Sequence, residues 1–138
     1  MIIAILSTGD MGHAVGKALI KNGHEVLTCL VDRSSHTKRL AESAGIKDVK
    51  DLISLVKQSD LILSIVPPAS AFDVANKVAE NISRLQRKTV YVDCNAISPE
   101  TTNRISEIMN KSGASFVDAG IIGLAPGKEA NGGPRFYV

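Results

Sequence analysis

Four short groups of residues in this 138-residue chain have the types and spacing to hold a phosphorylated nucleotide. The first is Ser7-Thr8-Gly9-Asp10-Met11-Gly12, directly after the aliphatic run Ile2, Ile3, Ala4, Ile5, Leu6. An apolar strand that breaks into a Gly-containing turn and opens a helix presents backbone N–H groups and the positive end of the helix dipole to a phosphate. Gly9 lets the backbone approach a pyrophosphate, Gly12 lets the helix pack closely on the sheet, and the amides of Asp10 and Met11 face the anion. Ser7 stands where the G-x-G-x-x-G fingerprint has its first glycine, so a turn that needs positive φ there carries a Cβ penalty. A strand-to-helix turn that binds nothing is the plainer alternative.

The second group, Asp32-Arg33-Ser34, falls where the ribose of a dinucleotide is read. An acid at the end of the second strand suits the ribose hydroxyls of NAD, and Asp32 lies 20 residues after Gly12. Arg33 with Ser34 can instead hold a 2′-phosphate through a guanidinium fork and a hydroxyl, and this reading favours NADP over NAD. A solvated loop charge is the competing role for Arg33. The third group, Val66-Pro67-Pro68, ends a strand at the crevice where open α/β sheets bind ligands, and its rigid loop could press on a nicotinamide. A simple strand stop would explain it equally well. In the fourth, Asp93-Cys94-Asn95-Ala96, the Asn95 amide is offered near the reacting end, with a turn or capping role as the alternative.

Catalytic residues stay unassigned. His13, His24 and His36 fall near turns and helix starts, and Cys29 and Cys94 are not at metal-ligand spacing, so no metal site is expected. The Gly-Lys-Ser/Thr signature of a P-loop is absent.

The elements that must position these groups alternate. Helices are expected over about 11–21, 35–44, 51–58, 70–82 and 98–111, and strands over 2–6, 25–31, 46–49, 61–66, 89–92 and 115–117. Asn22-Gly23, Gly45 and Gly113 supply helix stops, while Ser98-Pro99-Glu100 supplies a cap, a first-turn proline and an early acid. Strict β–α alternation with short connectors predicts a Rossmann-type, doubly wound, mainly parallel α/β sheet in a single domain over 1–118. Residues 119–138 read as a Gly-rich substrate-side loop and a terminal strand from Arg135 to Val138. A chain that stops inside an apparent strand looks cut, so self-association, a homodimer for instance, is expected through these last residues.

Bulk properties narrow the partners. Net charge is +2 with scattered Lys and Arg, and aromatics are 4% with no Trp, which disfavours nucleic acid. No apolar stretch approaches the ~18 residues of a membrane span, and no signal peptide is evident, so a cytoplasmic location is the expectation.

Together these residues resemble the NADP-binding N-terminal domain of the 6-phosphogluconate dehydrogenase and 3-hydroxyacid dehydrogenase superfamily. Gly9-Asp10-Met11-Gly12 is similar to its G-x-M-G turn, and Arg33-Ser34 to its NADP-selecting Asn-Arg-Ser/Thr segment, with Asp32 in the asparagine position. Asp93 to Thr101 resembles its strand-five signature, and Phe116-Val117-Asp118-Ala119 the start of its substrate loop. Where the family has Ser-Gly-Gly, this chain reads Ile122-Gly123-Leu124, closer to a phosphogluconate-dehydrogenase-like branch. The resemblance implies an NADP-dependent oxidoreductase of a small, anionic hydroxy acid, with Ile122 and Gly123 beside the substrate. It also implies that the general acid–base lysine sits on a helical C-terminal domain absent from this chain, leaving this chain inactive alone. A non-catalytic NADP(H)-binding sensor or regulatory module is the alternative.

Overall fold

The computed structural model describes residues 1–123 and 134–138. Six strands form one parallel sheet in the order β3-β2-β1-β4-β5-β6. They are β1 (Ile2–Leu6), β2 (Glu25–Thr28), β3 (Lys47–Asp48), β4 (Leu61–Ser64), β5 (Val90–Asp93) and β6 (Ser115–Asp118). The helices are α1 (Asp10–Lys21), α2 (Ser35–Ala44), α3 (Leu52–Gln58), α4 (Ala71–Leu85) and α5 (Pro99–Ser112). Order reverses at β1 and β4, which are hydrogen-bonded neighbours although two strands separate them in sequence. A doubly wound sheet binds ligands at such a switch point.

Successive strand residues point to opposite faces, and both faces are covered. Ile3 and Ile5 pack with Val15 of α1, Ala41 of α2 and Val26. Ala4 and Leu6 pack the other way, with Leu55 of α3, Val78 of α4 and Ile105 and Met109 of α5. β1 is thus buried on both sides, which is why its sequence reads as an unbroken apolar run rather than an alternating one.

Two strands are shorter than the sequence suggests. β2 stops at Thr28 instead of Val31, because the Thr28 carbonyl accepts from the Val49 amide and the Leu30 amide donates to the Asp48 carboxylate at 2.9 Å. Residues 29–33 then turn, with Asp32 at φ +58° and the Arg33 amide returning to the Leu30 carbonyl at 3.2 Å. β4 stops at Ser64 instead of Val66, since the Val66 amide donates to a side chain (Asn95 Oδ1) and not to a neighbouring strand. Beyond β6 the chain adds a two-stranded antiparallel ribbon of β7 (Gly120–Ile122) and β8 (Arg135–Tyr137). β8 falls at the expected terminal strand, whereas β7 lies in a stretch read as loop.

Candidate functional site

The turn from β1 into α1 is tight. Ser7 adopts φ +74°, so the left-handed conformation that the fingerprint gives to glycine is held here by a residue with a Cβ. Thr8 is fully buried and its hydroxyl donates to the Thr37 carbonyl at 3.3 Å, tying this turn to the first turn of α2. Gly9 is the N-cap of α1, with extended backbone, and as a glycine it supplies no side-chain cap. Among the described residues a Cβ on Gly9 would meet nothing within 4 Å. At Gly12 the opposite holds: a Cβ would run into the Ser7 carbonyl and come within 3.3 Å of Ile5 Cγ2. Gly12 is required by the packing of the turn itself, while no packing contact among the described residues requires Gly9.

Asp10, the first helical residue, carries an exposed carboxylate 3.9 Å from His36 Nε2, an ion pair only when the imidazole is protonated. Met11 is half-buried and packs on the α1–α2 side of the core, so its contribution to a ligand would be its amide.

At the β2–α2 connection Ser34 is the N-cap of α2. Its hydroxyl oxygen accepts from the Thr37 amide at 3.1 Å and lies 3.0 Å from the Thr37 hydroxyl. Arg33 is exposed beside it. A cleft of about 500 Å³ opens at the carboxyl ends of β1, β2 and β4 and gathers Ser7, Arg33, Val66 and Pro67 among its lining residues. Of the turn into α1 only Ser7 lines it; Thr8 to Gly12 do not, and neither do Ser34, Asn95, Ile122 and Gly123. Its other wall comes from α4 through Asp73, Val74 and Lys77. Sequence reading passed over these residues because the apolar stripe of α4 draws attention to the buried face of the helix. The polar positions at the same helical spacing were the available signal.

Asn95 has a different position from the one that its type suggests. Its Oδ1 accepts from the Val66 amide at 2.8 Å, its Nδ2 donates to the Ser64 hydroxyl at 3.1 Å, and its own amide donates to Asp93 Oδ1 at 3.0 Å. The side chain clips the ends of β4 and β5 together and fixes Val66-Pro67 at the edge of the cleft. Asn95 also lines a second cavity of about 400 Å³ with Thr102, Asn103 and Asp118.

Below it, Asp93 is fully buried and its Oδ2 has no hydrogen-bond partner among the described residues. Burial raises its carboxyl above the usual range, and the charge of Asp118, its register partner on β6, adds to the rise. The Cys94 thiol is pushed up to about 12, first by burial and then by these two carboxylates. That makes it a buried hydrophobe rather than a nucleophile.

Ile122 is exposed at the end of β7 and Gly123 follows at φ +118°. Leu124 lies outside the described residues. Among the described residues no group of three or more His, Cys, Asp or Glu could hold a metal ion, and no helix is long and apolar enough to cross a membrane.

A helix that starts at a glycine N-cap after β1, a connector after β2 that brings both Asp32 and Arg33 to the cleft, and a cleft at the strand order's reversal fit a dinucleotide. The comparisons agree with that geometry. The sequence profile of the NAD-binding domain of 6-phosphogluconate dehydrogenase matches residues 2–134. An uncharacterized 28.5 kDa protein of Methanothermus fervidus is 36% identical over 95% of this chain and 52% of its own length. Mitochondrial 3-hydroxyisobutyrate dehydrogenase of Drosophila melanogaster is 25% identical over 92% of this chain and 38% of its own. A conserved protein of unknown function, described as structurally similar to 3-hydroxyacid dehydrogenases, superposes with a TM-score of 0.83 at 27% identity. That superposition covers 99% of this chain and 48% of the other. Two imine reductase structures from Myxococcus stipitatus share the fold at 21% and 19% identity, one holding NAD⁺ and the other NADP⁺. The chain spans about half the length, or less, of these relatives. With the profile matched from the first strand to the edge of the terminal one, this chain belongs to the family of the 6-phosphogluconate dehydrogenase NAD-binding domain.

Proposed function

We propose that this chain is the cofactor-binding half of an NADP-dependent dehydrogenase acting on a small anionic hydroxy acid. One observation carries the reading: a single cleft at the carboxyl ends of β1, β2 and β4 gathers Ser7, Arg33, Val66 and Pro67, with Gly9, the N-cap of α1, two residues beyond Ser7. The amides of Gly9, Asp10 and Met11 hold the pyrophosphate, where the α1 dipole favours negative charge. Arg33 takes the 2′-phosphate as a bidentate donor, and Ser34 orders the α2 start beside it by capping. When bound, the nicotinamide supplies the hydride chemistry. Asn95 acts through Val66-Pro67, holding that segment against the ring and excluding water from one of its faces. Ile122 and Gly123 stand on the substrate side. Since the chain spans about half of its relatives, turnover is proposed for the whole protein, and cofactor binding for this half. Self-association through β7 and β8 belongs to the same reading, as Ile122, Phe136 and Tyr137 leave large apolar surface exposed.

Calorimetric titration with NADPH and NADH in parallel tests the assignment. NADPH should bind more tightly, and Arg33→Ala should weaken it by about tenfold or more while leaving NADH nearly unchanged. A chain that binds neither dinucleotide ends the proposal.

A further inference from the structure

The wall of the 500 Å³ cleft opposite the Arg33 connector is a stripe of α4 that the cofactor assignment above leaves without a role. Ser70, Asp73, Val74 and Lys77 recur at i, i+3, i+4 and i+7, one face of a helix, while Ala71, Ala75, Val78 and Ile82 bury the other. Asp73 and Lys77 are four residues apart in the orientation that favours an ion pair along a helix. Yet neither is in an ion pair within 4.0 Å among the described residues. Both are exposed, and both line the cleft. Val74 lies between them on the same face, and Leu52, Val31 and Val66 give the cleft the apolar surface that a flat ring requires, with Asp32 and Arg33 at its far side.

Opposite charges on one wall select a particular kind of ligand. An anion would gain from Lys77 and be repelled by Asp73. A group with a hydrogen-bond donor beside an acceptor satisfies both, and adenine carries that pair on its Watson–Crick edge, the exocyclic amine next to N1.

We infer that Asp73 and Lys77 read the edge of the adenine, with the Asp73 carboxylate accepting from the exocyclic amine and the Lys77 ammonium donating to N1. The inference rests on the dinucleotide reading given above. Replacing adenine by hypoxanthine reverses the pattern: a carbonyl oxygen faces Asp73 and an N–H faces Lys77. Such a reversal leaves both charged groups opposed, which is where hydrogen-bonding sites discriminate most strongly.

The test compares NADPH with its hypoxanthine analogue on the full chain, by calorimetry. The wild-type chain should prefer the adenine form by about tenfold, and Asp73→Ala and Lys77→Ala should each bring the two ligands within about twofold. Both residues are exposed, so matching melting curves will show that the variants fold. Equal wild-type affinities for the two ligands, or a preference unchanged in both variants, would overturn the inference while leaving the cofactor site intact. Absence of any NADPH or NADH binding to the wild-type chain would remove both readings together.

Discussion

Asn95 Oδ1 lies 2.8 Å from the amide nitrogen of Val66, a buried hydrogen bond between side chain and backbone across 29 residues of sequence. It joins the carboxyl ends of β4 and β5 at the edge of the 500 Å³ cleft, one step beyond the backbone bond from the Cys94 amide to the Ser64 carbonyl. With the second bond from Asn95 Nδ2 to the Ser64 hydroxyl, one side chain decides where β4 ends and how Val66-Pro67 is presented.

Asn95→Ala therefore removes an acceptor and a donor from a buried site and leaves the Val66 N–H orphaned. A loss of about 1–3 kcal/mol is expected from the cost of unsatisfied buried groups. Urea unfolding checks it through a lower midpoint at unchanged slope. A variant as stable as the parent would mean that water reaches Val66.

Gly12→Ala forces a methyl group into the Ser7 carbonyl, a backbone atom that cannot move without reshaping the turn. Destabilisation of about 1–3 kcal/mol is expected for such overpacking. Weaker dinucleotide binding should accompany it, because the same turn supports the helix amides. Gly9→Ala is the control: its Cβ meets open space, so stability should hold while cofactor affinity falls. If both variants lose stability equally, the two glycines are not doing separate jobs.

Ser7→Gly removes the Cβ from a residue at φ +74°. Left-handed backbone costs an ordinary residue about 1–2 kcal/mol, of which glycine returns about 0.5–1 as unfolded-state entropy. The net expectation is a gain of roughly 0.5–1 kcal/mol, read as a higher urea midpoint. A loss of stability would show that the serine hydroxyl makes a contact that outweighs the strain.

Asp93 sets a pH dependence whose sign follows from burial. Its folded-state pKa is raised by desolvation, first, and by the neighbouring Asp118 charge. The native chain therefore holds this proton more tightly than the unfolded one, and stability falls as pH climbs from the ordinary carboxylate value of 3.8 through the raised value. Asp93→Asn keeps an acceptor for the Asn95 amide and carries no charge to desolvate. The variant should lose this fall and be the more stable protein near neutral pH. Denaturant midpoints measured between pH 4 and pH 8 decide it; parallel curves for the two proteins would exclude Asp93 as the source.

Most of the architecture was legible in the sequence. Residues 2–6 announce a doubly covered strand because no polar residue interrupts them. Ser98-Pro99-Glu100 and Gly113 mark both ends of α5 by local chemistry, with the Ser98 hydroxyl accepting from the Thr101 amide and Gly113 at φ +92°. Signals of this kind act within one or two turns of chain, so a linear reading captures them. The order of Gly-turn, Arg-Ser connector and strand-five signature also pointed to the family that the sequence profile matches.

Tertiary structure decided what depends on partners distant in sequence. The end of β2 is set by Asp48, the end of β4 by Asn95, and neither relation shows in the residues being ended. Ser34 reads from its type as a phosphate ligand, and the fold adds a second role, in which its oxygen accepts from the Thr37 amide at the start of α2. Asp73 and Lys77 became cleft residues only because α4 begins just beyond the end of β4, next to β1 where the strand order reverses. Local propensity and periodicity write the elements into the chain, whereas the meeting of strand ends, and so the chemistry of the crevice, is fixed by packing between segments tens of residues apart.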